Sequence, residues 1–150
     1  MPGLWNLIYS LLSEEIGRLI AVTKPAIKIS AIFGAIILLV TAAFHITALP
    51  DVKRVLGDVE LTFFRDGLVG MWTLPAMHWL FIACLSVGLS RYRSRSCAAI
   101  LMAFGVWVLL DAALTFMHVG AFIGVYMLAL AGLLLLASGF MLRKDMMTSD

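Results

Sequence analysis

Apolar and polar positions alternate along this chain on a scale of whole helices. Five segments stand out. Residues 4–20 place Leu4, Leu7, Ile8, Leu11, Leu12, Ile16, Leu19 and Ile20 at the spacing of one face of a 3.6-residue helix, with Asn6, Ser10, Ser13, Glu14 and Arg18 largely elsewhere. A helix with an apolar stripe and a polar remainder is suited to lying in a membrane interface rather than crossing it. Thr23, Lys24 and Pro25 end it, because proline cannot donate the hydrogen bond that a continuing helix needs. Residues 1–25 are therefore read as an amphipathic interfacial helix, and residues 26–150 as a separate transmembrane region.

Four apolar runs follow, at about 27–48, 68–89, 98–118 and 121–142, each near the ~20 residues that cross a hydrocarbon core. The first is retained as a span, since it starts too late for a signal peptide. Pro50 to Gly67 carries four acids and three bases and must lie outside the membrane. Within it Val52, Val55, Leu56 and Val59 have helical spacing, Asp51 is placed to cap them, and Gly57 weakens the helix. Pro75 is expected to kink the second span, freeing the carbonyl of Met71 near His78. Ser94 or Ser96 is positioned to cap the third span. The third and fourth runs as one helix would reach ~65 Å, so the chain must turn near Val119 and Gly120. Gly120 and Gly124 form a GxxxG that Gly132 and Gly139 continue, a face suited to close packing of helices.

Composition supports the same architecture. The chain is 63% hydrophobic and 13% charged, where soluble domains have ~25% charged residues. A soluble core of 150 residues cannot hide that apolar surface. Only helices and closed barrels satisfy all backbone groups in lipid, and the alternation of a barrel is missing. The expected fold is an all-α integral membrane protein: the interfacial helix, then a four-helix antiparallel transmembrane bundle. Charge sets its orientation. Arg18, Lys24, Lys28, Arg91, Arg93, Arg95, Arg143 and Lys144 fall on one side, against Lys53, Arg54 and Arg65 on the other. Eight against three predicts cytoplasmic N- and C-termini in an inner or plasma membrane. The bases are scattered, which argues against nucleic acid as a partner. Cys84 and Cys97 have neither metal-finger spacing nor an evident bridging role.

One polar constellation interrupts the spans. Asp111, Thr115 and His118 share one helical face, and by helical rise Asp111 and His78 lie at comparable depths, ~12 and ~15 Å below the same membrane surface. An acid in hydrocarbon costs about 2.5–3.5 kcal/mol on insertion scales, so Asp111 requires a partner, protonation or an interior position. His78 is the expected partner. His45 and His118 lie nearer the outer surface. Three readings compete.

Haem or metal binding is supported by ligand types alone: His45, His78, His118 and Asp111, with Met71 or Met117, but no HxxxH, ExxH or paired-cysteine spacing. It is not favoured. Proton handling, small-molecule binding or catalysis on a lipid-soluble substrate would use an outward-facing pocket of Asp111, His78, Thr115, His118 and His45, but no nucleophile or cofactor motif names a reaction. The third reading makes Asp111 and His78 interhelical glue, worth ~0.6–2 kcal/mol. It explains the features most simply, and the expected function is a non-enzymatic accessory or scaffold protein of a larger membrane assembly. Its partners are then the lipid bilayer and either another membrane protein or further copies of the chain.

Overall fold

The computed structural model describes residues 24–58 and 62–148, and 91% of it is helical. The amphipathic helix expected over residues 1–25 lies almost wholly outside the described residues. Five α-helices follow: α1 Pro25–Thr47, α2 Leu49–Val55, α3 Thr62–Leu89, α4 Arg95–Val119 and α5 Ile123–Met147, with a 3₁₀ turn at Leu56–Asp58. Four stretches, Pro25–Val55, Arg65–Leu89, Arg95–Val119 and Ile123–Met147, are long and apolar enough to cross a membrane.

The helix ends follow from local chemistry. Lys24 is extended and Pro25 enters at the start of α1, where its missing N–H costs nothing and its fixed φ suits the first turn. Ser94 caps α4, its hydroxyl accepting from the Ser96 amide. Asp51 does not cap α2. The cap is Ala48 without a side-chain bond, because α2 follows directly on α1, and Asp51 instead pairs with Arg54 at 3.0 Å. Helix α3 begins earlier than the apolar pattern suggests, at Thr62, and runs unbroken through Pro75. Helix α5 likewise extends past Arg143 and Lys144 to Met147.

Packing places α5 between α4 and α1, with α3 against the other side of α1. Small residues make these approaches possible. A Cβ on Gly105 would fall 2.6 Å from the Leu136 amide nitrogen and 2.8 Å from the Gly132 carbonyl oxygen. One on Gly139 would come within 2.9 Å of the Ala98 carbonyl, and one on Gly132 within 3.0 Å of that of Gly105. Across the α1–α5 interface the Ser30 hydroxyl donates to the Leu134 carbonyl at 2.8 Å, and that of Ser138 to the Ile27 carbonyl at 3.0 Å. Hydroxyls of this kind use acceptors that already serve the helix, and so join two helices without leaving a polar group unmatched.

The glycine pattern divides in two. Gly132 and Gly139 pack against α4, whereas Gly120 lies outside both helices as the α4 C-cap with φ of 90°. That conformation is open to glycine and strained for other residues. Gly124 faces the Phe122 ring instead of a neighbouring helix, so the GxxxG is a turn element. Gly105, unremarked in the apolar run, is the true counterpart of Gly132.

Many large apolar side chains are exposed, among them Phe33, Phe44, Phe81, Trp107 and Phe140, while the buried set combines alanines such as Ala31, Ala35, Ala98 and Ala131 with Leu38, Leu101, Leu128, Leu135, Leu142 and Trp79. Close approach of helix backbones favours small residues at the contacts.

Gly105→Ala should lower stability by ~1–3 kcal/mol through overpacking against backbone that cannot move aside. Gly70→Ala, with nothing within 4 Å of its new methyl group, should be neutral or slightly stabilising. Thermal unfolding of both variants in one detergent checks the contrast.

Candidate functional site

Helices α3 and α4 touch sparingly, and their principal polar link is Asp111. Its Oδ2 receives two contacts from consecutive residues of α3: His78 Nε2 at 2.6 Å and Trp79 Nε1 at 2.8 Å. Successive helical residues diverge by about 100°, so two of them reach one oxygen only when the acceptor faces the boundary between their directions. The indole N–H can only donate, which makes Oδ2 its acceptor, and a His78 tautomer with its proton on Nε2 supplies a second bond to the same oxygen. Trp79 is 5% exposed, and the His78 and Asp111 side chains are 36% and 21% exposed, so the site lies at the edge of the core. Among the described residues nothing hydrogen-bonds to the other carboxylate oxygen, Oδ1.

The link continues toward the end of the bundle that carries His45. The His45 ring stacks on Trp72 with centroids 4.2 Å apart and meets Trp79 edge-on at 5.3 Å. His45 Nε2 lies 2.7 Å from the Trp72 carbonyl oxygen, and Trp72 Nε1 donates to the His45 carbonyl at 3.0 Å. A carbonyl only accepts, so His45 carries its proton on Nε2. This exchange sits in the turn before Pro75, where proline disrupts the regular backbone ladder. The carbonyl engaged is that of Trp72, one residue beyond Met71. Trp72 and Trp79 are seven residues apart, two turns on one face, so His45, Trp72, Trp79, His78 and Asp111 form one continuous cluster across α1, α3 and α4.

The other two candidates stand aside. Thr115 is partly buried one turn from Asp111 but makes no hydrogen bond to it, and His118 is exposed in the last turn of α4. Depth estimates from helical rise separated His45 from His78; the Trp79 ring joins their surroundings. Among the described residues no group of three or more His, Cys, Asp or Glu side chains gathers to hold a metal ion.

Two features of the site were missed from the sequence. One is the pair of indoles, although a buried tryptophan generally needs an acceptor for its N–H and thus points to the nearest buried carboxylate. The other is Asp145. It is 8% exposed, pairs with Lys24 at 2.7 Å and with Arg93 Nε at 3.3 Å, and its carbonyl accepts from Arg93 Nη2 at 2.7 Å. It follows Ala131, Leu135, Ser138 and Leu142 on the buried face of α5, a periodicity that makes it an interior position despite its place after Arg143 and Lys144. Asp145 ties the start of α1, the α3–α4 connection and the end of α5 together.

No family model, curated protein or solved structure matches this chain.

Trp79→Phe keeps the ring and removes the donor. It should cost ~0.5–1.5 kcal/mol of stability, the net range for one intramolecular hydrogen bond. A denaturation series in mixed micelles, with Trp107→Phe as the outward-facing control, measures it.

Proposed function

We propose that this chain is a non-enzymatic accessory or scaffold protein of a membrane assembly, built as a membrane-inserted, antiparallel four-span bundle in which Asp111 holds α3 to α4. The carrying observation is the double contact to Asp111 Oδ2 at a seam with few other contacts. A carboxylate is a costly residue to keep in an apolar bundle, and fixing the position of a weakly packed helix is a role that offsets the cost. The polar links at both ends of the bundle act in the same sense. Each joins different helices or connections.

The insertion reading rests on the four apolar helices and on the outward set of large side chains. Contacts among Lys24, Arg93 and Asp145 bring the start of α1, the α3–α4 connection and the end of α5 to one end, where Lys28, Arg91, Arg95, Arg143 and Lys144 also belong by sequence. By the charge rule that end is cytoplasmic, in an inner or plasma membrane. The partner is a larger membrane protein or a further copy of this chain, met through the exposed aromatic faces.

One observation favours a second reading, a small-ligand or proton-handling site. Asp111 Oδ1 has no hydrogen-bond partner among the described residues, and the pair is partly exposed at the seam. A hydroxyl, an amine or a water molecule would suit that acceptor.

Asp111→Asn separates the two readings. As a scaffold, the variant should lose ~1–2 kcal/mol of bundle stability and reduce recovery of a stoichiometric membrane partner in mild detergent. Unchanged stability and assembly, together with a small molecule bound by wild type and released by the variant, would replace the scaffold reading with the binding one.

A further inference from the structure

The inference concerns the end of the bundle that carries Lys24, and it rests on the membrane-inserted reading but not on the scaffold role. Between the first turns of α4 and the last turns of α5 lies a groove of about 350 Å³ lined by Arg95, Ala99, Met102, Arg143 and Met147. We propose that it binds the headgroup phosphate of an anionic membrane phospholipid. The α4 residues 95, 99 and 102 follow helical spacing, as do 143 and 147 on α5, so each helix presents one face to the groove. On α4 Arg95 stands at the helix end and Ala99 and Met102 follow toward the middle of the span, while on α5 Arg143 lies one turn inside the terminal Met147.

Three observations define the occupant. First, an arginine from each helix supplies planar, multidentate donors of the kind that match phosphate oxygens. Second, the floor is apolar, and the same helix faces continue through Val106 and Phe140, both exposed. A ligand with an anionic head and an acyl tail fits both parts, while a free phosphate uses only one. Third, the described residues at this end comprise Lys24, Lys28, Arg91, Arg93, Arg95, Arg143 and Lys144 against the single acid Asp145, which is turned to Lys24 and Arg93. The local potential of these residues therefore favours an anionic lipid over a zwitterionic one. The volume lies within the ~300–1,000 Å³ usual for small-molecule sites.

The test uses the full chain in mixed micelles, titrated with palmitoyl-oleoyl phosphatidylglycerol or phosphatidylcholine and read by native mass spectrometry. Wild type should retain phosphatidylglycerol with roughly tenfold preference, and R95Q/R143Q should lose most of that preference. R91Q/K144Q removes the same formal charge from residues that do not line the groove and should keep it. Ala99→Trp leaves both arginines and fills the floor, and should weaken lipid retention as well. Equal losses in the two charge variants would overturn the site in favour of diffuse attraction, and so would competition by millimolar inorganic phosphate with no dependence on the acyl chain. Failure of the wild-type chain to enter lipid bilayers at all would instead remove the membrane reading, so the two failures are distinguishable.

Discussion

A carboxylate inside an apolar bundle has to be met by donors from the same chain, and the arrangement of α3 depends on how Asp111 meets that requirement. Helix α3 has its broad packing surface on α1. Its approach to α4 is narrow, and the His78 and Trp79 nitrogens bring their helix to the Asp111 oxygen. Hydrogen bonds are directional where apolar contact is not, so this link constrains rotation as well as distance. The Trp72–His45 exchange restrains α3 further along, on α1, in the turn before Pro75. The Trp79 ring joins the two restraints, packing against His45 while its N–H serves Asp111.

The remaining helices are organised by a different constraint. Close approach of α4 and α5 depends on Gly105, Gly132 and Gly139, where a methyl group would collide with a neighbouring carbonyl or amide. Hydroxyls of Ser30 and Ser138 attach α1 to α5 through carbonyls. At the Lys24 end, Asp145 engages cations from two other parts of the chain. Polar contacts thus occur at both ends and in the middle of a bundle whose outer surface is apolar. In the membrane-inserted bundle proposed above each would be modest, since interhelical hydrogen bonds in membranes contribute about 0.6–2 kcal/mol. Their common effect is register.

Much of this was legible in the sequence because apolar length is a strong signal. The four long helices and the turn at Gly120 follow from run lengths and from glycine chemistry, and Ser94 from capping preferences. The pairing of His78 with Asp111 is suggested by their comparable depths along the helices together with the need of an acid in an apolar span for a partner. What could not be read were features that depend on helix rotation and on which helices become neighbours. His45 was assigned to the surface by depth, yet Trp79 reaches both it and Asp111, because an indole spans more than one turn. Asp145 carries no evident sign of burial in the sequence, since charge near the end of a span ordinarily marks the exit from the membrane. Its burial follows from the continuation of α5 beyond Leu142. Gly105 was hidden in an apolar run because a lone glycine carries no spacing signal until its neighbour on α5 is known.

The central claim, that Asp111 fixes α3 against α4 through His78, is tested most directly by a double-mutant cycle. Stability in one detergent is measured for wild type, His78→Phe, Asp111→Leu and the double variant. The account predicts that each single change costs more than its share of the double, giving a coupling energy of about 0.6–2 kcal/mol. Additive losses, with no coupling, would contradict it.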